Sequence, residues 1–210
     1  MLEGLENLTA GAAELGVNLD TGAAQRLLSY IALLTKWNTA YNLTGIQDPG
    51  EMLAKHLLDS LAVAPYLRGK DIIDVGTGAG LPGIPLAIAM PDKELVLLDS
   101  NGKKTRFLSH AVTQLRLNNI NVIKERVEDY LPKKSFATVI SRAFSDLGTF
   151  VELTQHLCGS GGRLLAMKGA YPKREIAQLP VGFKVNNSYK LHIPHLKAER
   201  HLIEITRDLR

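Results

Sequence analysis

The sequence predicts an α/β fold in which a helical extension precedes a mostly parallel, seven-stranded sheet that ends in a hairpin. The apolar residues follow helical spacing throughout the first seventy positions, and then alternate between short strands and helices. Such alternation is typical of a parallel sheet that is covered by helices on both faces. A glycine-rich turn joins the first strand to the next helix. The 210 residues suffice for one domain with a short appendage.

Three helices are predicted before the sheet begins, over about 5–15, 21–38 and 49–64. Thr21 is a plausible N-cap for the second helix. Pro49 fits the first turn of the third, where a missing amide hydrogen costs nothing. We therefore predict a helical extension over residues 1–68, packed on a core that spans residues 69–210.

Within the core, helices are predicted at about 82–90, 102–117 and 145–157. The run Gly159-Ser160-Gly161-Gly162 is interpreted as a turn before the fifth strand. The last two strands are expected to pair as a hairpin. The predicted strands are 71–75, 95–99, 120–124, 136–141, 163–168, 183–192 and 200–206.

The composition is that of a globular protein from a reducing compartment. Cys158 is the only cysteine, which excludes an internal disulfide framework. No apolar run approaches the length of a membrane span, and the N-terminus does not resemble a secretion signal. We predict a cytoplasmic protein without membrane association.

The net charge of +4 is unevenly distributed along the chain. Residues 163–210 carry ten Lys and Arg residues against four Asp and Glu residues. A basic segment suggests a polyanionic partner, although scattered lysines are more often a solvated face. From the charge alone, a nucleic-acid partner is about as well supported as a solvated surface without such a partner.

The turn after the first strand is the most informative motif. Gly76, Gly78 and Gly80 allow the backbone to turn tightly and to approach a ligand closely. Asp99 follows about twenty residues later, at the end of the next strand, where a carboxylate can accept both ribose hydroxyls. This spacing predicts a site for an adenosine-containing cofactor.

Two features argue against a dinucleotide. The dinucleotide fingerprint requires glycine where this chain has Leu81. Asp74, two places before the first glycine, would repel a pyrophosphate but attract an ammonium or sulfonium. The pattern resembles motif I of the class I S-adenosylmethionine methyltransferases, which have a Rossmann-like fold. The alternative is a strand-to-helix turn that binds nothing.

The chain lacks motifs that some methyl acceptors require, and this narrows the range of acceptor atoms. Ser141-Arg142-Ala143-Phe144 stands where methylation of an exocyclic amine usually relies on an Asn/Asp-Pro-Pro-aromatic turn. Methylation of cytosine carbon 5 needs a cysteine nucleophile, and Cys158 is better interpreted as a structural thiol. Guanine N7 has a free lone pair and no proton to remove, so positioning alone suffices. Other undemanding acceptors also fit.

Several polar residues near strand ends are candidates for binding. Arg142 could pair with a ligand carboxylate or donate to guanine, or else form an ion pair with a neighbouring acid. Glu128, with Val127, could line an adenine pocket or be a surface residue. His56 and Asp59 lie three apart on one helix, where we expect packing or hydrogen bonding and no metal site.

Two groups of basic residues could contact RNA phosphates or face solvent. The first opens the helix after Asp99 and consists of Lys103, Lys104 and Arg106. The second lies late in the chain and consists of Lys168, Lys173, Arg174, Lys197, Arg200 and His201.

With these motifs in place, the chain resembles the RsmG/GidB family of small-subunit ribosomal RNA guanine-N7 methyltransferases. The matching motifs occur in order over residues 37–202: Trp37-Asn38-x-x-Tyr41-Asn42-Leu43-Thr44, His56-Leu57-Leu58-Asp59-Ser60-Leu61, Asp74 to Pro85, Leu98-Asp99-Ser100, Lys104-x-Arg106-Phe107-Leu108, Arg126-Val127-Glu128, Ser141 to Phe144, Lys168-Gly169 and Glu199-Arg200-His201-Leu202.

The resemblance implies methyl transfer from S-adenosylmethionine to N7 of a guanine at position 527, in the 530 loop of 16S rRNA. It also implies cofactor contacts from Gly76, Leu81, Val127, Glu128 and Arg142. No stable protein partner is predicted, and a monomer is expected. The alternatives are a methyltransferase for a small molecule or protein, an RNA-binding assembly factor with a vestigial cofactor fold and, more distantly, an oxidoreductase.

Overall fold

The computed structural model describes residues 2–142 and 144–208, in which all seven predicted strands form one sheet. The strand order is β3-β2-β1-β4-β5-β7-β6. Strands β1 to β5 run parallel, and β7 is antiparallel to both β5 and β6. The strands are β1 Asp71–Val75, β2 Glu94–Leu98, β3 Ile120–Ile123, β4 Phe136–Arg142, β5 Cys158–Lys168, β6 Phe183–Leu191 and β7 Arg200–Arg207.

Eight α-helices occur in the described residues, and most lie where the periodicity predicts them. Short 3₁₀ turns at Ala64–Tyr66 and Gln155–Leu157 end two of the predicted helical stretches. The helices are α1 Leu2–Glu14, α2 Thr21–Tyr41, α3 Pro49–Met52, α4 Asp59–Leu61, α5 Gly83–Ala89, α6 Gly102–Gln114, α7 Leu147–Thr154 and α8 Lys173–Ile176.

The caps of the N-terminal helices correct one prediction and confirm another. Asp20, not Thr21, is the N-cap of α2, since its side chain accepts a hydrogen bond from the Ala23 amide at 2.6 Å. A carboxylate one residue earlier satisfies the free amides, and Thr21 becomes the first helical residue. Pro49 lies in the first turn of α3 as predicted.

The predicted helix over 49–64 is not a continuous α-helix. Residues Leu53–Leu58 form a π-helical segment between α3 and α4. Helical periodicity does not reveal such a segment, because an i→i+5 turn shifts the apolar face by only one residue. π-helical turns frequently occur at functional sites, and this one brings two polar residues, His56 and Asp59, into buried positions.

The predicted turn over 159–162 is also wrong, because these glycines lie within β5. The strand begins at Cys158, which pairs with Phe136, and the register then shifts so that Arg163 pairs with Thr138. The irregularity includes Gly161, whose φ is +73°. Glycine allows the chain to bulge here without leaving the sheet.

Helices cover both faces of the sheet, and the side chains of each strand alternate between two cores. One core contains Ile72, Leu97 and Ile140 together with side chains of α1, α2, α5 and α6. The other contains Ile73, Leu98 and Val139 together with side chains of α7. The first core is continuous from Leu8 to the sheet, so the helical extension packs directly on it. The boundary at 68/69 stays a prediction.

Candidate cofactor and substrate site

The predicted site residues lie at the carboxyl ends of the parallel strands. β1 is flanked by β2 on one side and by β4 on the other, so the connections leave β1 in opposite directions. Ligands of open α/β sheets bind in the crevice at such a switch point. The glycine turn follows β1, Asp99 follows β2 and Arg142 ends β4, which brings them to this crevice.

The three glycines of the turn all adopt left-handed backbone conformations. The φ angles of Gly76, Gly78 and Gly80 are +65°, +62° and +93°. Residues with a Cβ are strained in this region, so the glycines are required by the turn itself. The Gly76 and Thr77 amides donate to the Leu98 carbonyl at 2.8 and 3.2 Å, which ties the turn to β2.

The backbone has free space around it at the start of this turn and is closely packed at its end. A Cβ on Gly76 would meet no atom within 4 Å, so its backbone faces free space. A Cβ on Gly80 would lie 2.6 Å from Ile84 Cδ1, and one on Gly83 would lie 2.2 Å from Leu97 Cδ2. The backbone at Gly76 is therefore accessible to a ligand, while Gly80 and Gly83 allow α5 to pack against the sheet.

Asp74 is fully buried and braces the turn. Its Oδ2 accepts hydrogen bonds from Thr77 Oγ1 at 2.6 Å and from the Gly83 amide at 2.8 Å. Its Oδ1 has no partner among the described residues. Burial raises the pKa of the Asp74 carboxyl from 3.8 to about 7. A buried carboxyl group with one uncommitted oxygen therefore lies beside the turn, where the sequence predicts attraction for a cationic ligand.

Asp99 lies at the edge of the crevice, 7% exposed. Its Oδ2 accepts from the Gly78 amide at 2.9 Å, and its Oδ1 accepts from the Asn101 amide at 2.8 Å. A carboxylate has about four acceptor positions, so further donors such as ribose hydroxyls can be accommodated. Lys104 Nζ lies 3.8 Å from Asp99 Oδ2, so this lysine lies on the Asp99 side of the crevice.

The remaining cofactor candidates differ in exposure. Leu81 is buried at 3% exposure, next to the glycine turn. Val127 is half-buried against the second core. Glu128 is exposed, with Oε1 3.6 Å from Arg126 Nη1, so both of its interpretations remain compatible with the structure. Ala143, within the motif that follows β4, lies outside the described residues.

Arg142 forms the ion pair that the sequence leaves open, and its partner is Asp59. Arg142 Nη1 donates to Asp59 Oδ2 and to the Lys55 carbonyl, both at 3.3 Å. Arg200 Nε donates to the other carboxylate oxygen, Asp59 Oδ1, at 2.8 Å. One buried carboxylate from the helical extension therefore joins the end of β4 to the start of β7.

His56 is buried next to this cluster and makes the hydrogen bonds that the sequence predicts. Its Nε2 lies 2.9 Å from Thr44 Oγ1, and its Nδ1 lies 3.1 Å from the Lys55 carbonyl. Burial, assisted by the Arg142 charge, lowers the pKa of His56 to about 4. The imidazole is neutral near pH 7. Asn38 fixes the adjoining loop by bonding both the amide and the carbonyl of Thr44.

The first basic group divides into two parts. Lys104 faces Asp99, whereas Lys103 and Arg106 are exposed and line an open cavity of about 570 Å³. Lys124, which follows β3, lines the same cavity. None of these three cations is within 4 Å of a carboxylate of the described residues, and no acid lines the cavity. The arrangement leaves a concentration of positive charge beside the crevice.

Three of the six residues in the second basic group are engaged in internal contacts. Lys168 Nζ lies 2.8 Å from Glu175 Oε2. Arg200 is bonded to Asp59, and buried His201 contacts the Gly169 carbonyl at 2.8 Å through Nδ1. The structure therefore does not bring the whole group together as an open rim. Three of its members, Lys173, Arg174 and Lys197, are exposed.

Sequence reasoning missed three contributions to this site. Tyr30 of α2 is fully buried and donates from its hydroxyl to the Ala79 carbonyl at 2.8 Å, so the extension holds the glycine turn. Asp59 joins two arginines, and Lys124 adds a third cation to the cavity. Only long-range contacts reveal these roles, since Asp59 and Arg200 are 141 positions apart.

Within the described ranges, no helix is both long and apolar enough to cross a membrane.

Solved structures of several methyltransferases share this fold. TrmN from Thermus thermophilus matches with a TM-score of 0.57 and 15% identity, covering 74% of this chain and 53% of that one. A SAM-dependent O-methyltransferase from Thermotoga maritima matches with a TM-score of 0.54 and 16% identity, covering 72% and 65%. At these identities the likeness shows a class I methyltransferase fold and nothing finer.

Sequence relatives are much closer. The chain is 50% identical over 203 residues to the ribosomal RNA small subunit methyltransferase G of Pseudomonas aeruginosa strain LESB58, covering 96% of this chain and 95% of the relative. It is 52% identical over 198 residues to the protein of that name from Nitrosococcus oceani, covering 94% and 92%. The GidB family model, described as rRNA small subunit methyltransferase G, matches residues 23–203. With its glycine turn, carboxylates and fold in agreement, the chain belongs to the GidB family of rRNA small subunit methyltransferases.

Proposed function

We propose that this protein transfers a methyl group from S-adenosylmethionine to N7 of the guanine at position 527, in the 530 loop of 16S rRNA. Membership of the rRNA small subunit methyltransferase G family supports methylation of small-subunit RNA. The single structural observation that carries the cofactor assignment is the left-handed glycine turn between Asp74 and Asp99.

The crevice residues fit this cofactor. Gly76 offers open backbone, Asp99 retains acceptor positions for the ribose, and Asp74 Oδ1 is an uncommitted acceptor whose ionised form would attract a cationic ligand. We assign the adenine to Val127 and Glu128 and the methionyl carboxylate to Arg142, with Leu81 packing beside the turn. When bound, the cofactor supplies an electrophilic methyl group on a sulfonium.

The proposed acceptor atom fits the protein groups around the crevice. N7 of guanine attacks with its own lone pair, so no base has to remove a proton. His56, the histidine nearest Arg142 in the described cluster, is committed to Thr44 and to the Lys55 carbonyl. The protein then contributes by aligning donor and acceptor, which can account for a large part of a rate enhancement.

RNA contact is proposed for the cationic cavity beside the crevice. Lys103, Arg106 and Lys124 present charge that no neighbouring acid neutralises, which suits a phosphate backbone. Lys104 would act close to the cofactor, and Arg200 would contact RNA through the donors that Asp59 leaves free. Lys168 and His201 would contribute through the contacts that fix this part of the sheet.

We further propose that the protein acts in the cytoplasm as a monomer on 16S rRNA or on the small ribosomal subunit. Among the described residues only four large hydrophobic side chains are exposed, which supports a monomer. These side chains are Tyr41, Leu131, Tyr171 and Val181.

Methyl transfer to RNA tests the proposal. Labelled S-adenosylmethionine would be offered with bare 16S rRNA and with small subunits that lack the modification, and the product would be mapped by cleavage at N7-methylguanine. Labelling of one guanine in the 530 loop is expected. Cofactor binding without transfer to either RNA would favour a small-molecule or protein acceptor, and RNA binding without cofactor binding would favour an assembly factor.

A further inference from the structure

The cluster formed by Asp59, Arg142 and Arg200 connects the two sides of the crevice. Asp59 is 2% exposed and comes from the helical extension, directly after the π-helical segment. Its Oδ2 accepts from Arg142 Nη1 at 3.3 Å, and its Oδ1 accepts from Arg200 Nε at 2.8 Å. The carboxylate is therefore shared, one oxygen to each arginine, and neither guanidinium holds it in a bidentate pair.

The cluster carries more positive charge than its carboxylate neutralises. Two guanidinium groups face one carboxylate, and about a quarter of each arginine side chain is exposed, 25% for Arg142 and 26% for Arg200. Arg142 bonds its described neighbours only through Nη1, and Arg200 only through Nε and Nη1. Each guanidinium has five N–H donors, so both retain donors for an anionic ligand.

The position of the two arginines gives these donors a use. Arg142 ends β4 at the switch point, on the side assigned to the cofactor. Arg200 begins β7, which runs antiparallel to β5, so it lies at the same edge of the sheet as the end of β5. Both arginines therefore lie at the carboxyl ends of the parallel strands, Arg142 at the switch point and Arg200 two strands away, so under the proposed function Arg142 serves the cofactor and Arg200 the RNA.

We propose that Asp59 is a positioning residue that holds Arg142 and Arg200 in their binding orientations, so that the affinities for cofactor and for RNA both depend on this one carboxylate. The proposal rests on the proposed function for the identity of the two ligands. A carboxylate that takes two charged hydrogen bonds fixes both guanidinium groups before either ligand arrives, which lowers the cost of ordering them on binding.

A purely structural ion pair elsewhere in the chain provides a matched control. Arg163 Nη1 and Glu204 Oε2 lie 3.0 Å apart between β5 and β7, and Glu204, like Asp59, is 2% exposed. Loss of one partner from a buried pair leaves an uncompensated charge in either case. Asp59→Asn and Glu204→Gln should therefore both lower the free energy of unfolding.

The test compares binding at a temperature where both variants remain folded. Dissociation constants would be measured for S-adenosylhomocysteine by calorimetry and, at one fixed salt concentration, for small subunits lacking the modification. Asp59→Asn is expected to weaken the binding of both ligands by about tenfold or more. Glu204→Gln is expected to leave both affinities unchanged. Asp59→Glu, which keeps the charge and serves as the variant if Asp59→Asn does not fold, should fall between wild type and Asp59→Asn in both affinities.

Two outcomes would overturn the proposal. In the first, Asp59→Asn, or Asp59→Glu in its place, keeps both affinities within about twofold of wild type. In the second, Glu204→Gln loses as much affinity for both ligands as Asp59→Asn does. Failure of the proposed function is separate, because it would appear in the wild-type protein as absent methyl transfer to the guanine.

Discussion

At the scale of single residues, Gly80 shows how closely the turn is fitted to the helix behind it. Its φ is +93°, and a Cβ would lie 2.6 Å from Ile84 Cδ1 and 2.9 Å from Leu108 Cδ2. Gly80→Ala should lower the free energy of unfolding by about 2–5 kcal/mol, because backbone strain and overpacking add. The displaced turn should also bind S-adenosylhomocysteine more weakly.

Gly16 is the control for this prediction. Its φ is +75°, but a Cβ there would meet no atom within 4 Å. Gly16→Ala should cost only the backbone strain, about 1–2 kcal/mol, and leave cofactor affinity unchanged. Chemical denaturation measures the free energy of unfolding, and calorimetry measures the affinity for S-adenosylhomocysteine. Equal losses in the two variants would show that the contacts of Gly80 do not matter.

Asp74 should make stability depend on pH. Its pKa is raised from 3.8 to about 7 in the folded protein, mainly by burial. Between these values the folded state binds a proton that the unfolded state has released, so stability falls as pH rises from about 4 to about 7. The full effect is on the order of 4 kcal/mol. In Asp74→Asn, the amide oxygen can still accept from Thr77 and Gly83.

The difference in unfolding free energy between wild type and Asp74→Asn should therefore change across this range. The variant should gain relative to wild type up to about pH 7 and remain level above it. His56, whose pKa is lowered to about 4, acts with the opposite sign, since its stabilisation is lost as pH falls through 6.5 towards 4. It is present in both proteins and cancels. Parallel pH profiles would contradict the raised pKa of Asp74.

At the scale of elements, α2 is predicted to support the cofactor turn. The Tyr30 hydroxyl is buried against the Ala79 carbonyl, and Tyr30→Phe leaves that carbonyl unpaired at a cost of about 1–3 kcal/mol. We expect weaker binding of S-adenosylhomocysteine as well, because the turn loses its brace. Calorimetry with the purified variant measures this loss.

Tyr189→Phe is the matched control for Tyr30→Phe. It removes a hydroxyl that donates to Glu204 Oε2 at 3.1 Å, within the hairpin of β6 and β7. Stability should fall and cofactor affinity should not. A Tyr30→Phe protein with wild-type affinity would mean that α2 packs beside the turn without controlling it.

Most elements could be predicted because local sequence determines them. Periodicity locates the seven strands, and the glycine spacing identifies the turn whose φ angles require glycine. The π-helical segment and the bulge in β5 could not be predicted, since each depends on packing rather than on local pattern. The role of Asp59 could not be predicted either, because its two partners come from distant strands.

At the scale of the whole molecule, the distribution of unpaired charge should govern RNA binding. Replacing Lys103, Arg106 and Lys124 by Gln should reduce the slope of log K against log salt by about 2, at about 0.7 per single-stranded phosphate contact. Binding of small subunits across a salt series measures the slope. If the replacements weakened the binding of S-adenosylhomocysteine and left this slope unchanged, the three residues would belong to the cofactor site instead.

Three lysines at the opposite ends of the strands provide the control. Lys70, Lys133 and Lys134 line a cavity beside the amino ends of the strands, and their replacement by Gln removes the same charge. The slope should then stay at the wild-type value. An equal reduction would mean that RNA responds to net charge and not to the cationic cavity.

We propose that this protein positions a guanine so that its N7 lone pair attacks the methyl group. The most direct measurement uses small subunits reconstituted with 16S rRNA that carries either guanosine or 7-deazaguanosine at position 527. We predict about one methyl group per subunit with guanosine and none with the deaza analogue, which has carbon in place of N7. Equal methylation of both subunits would contradict the claim.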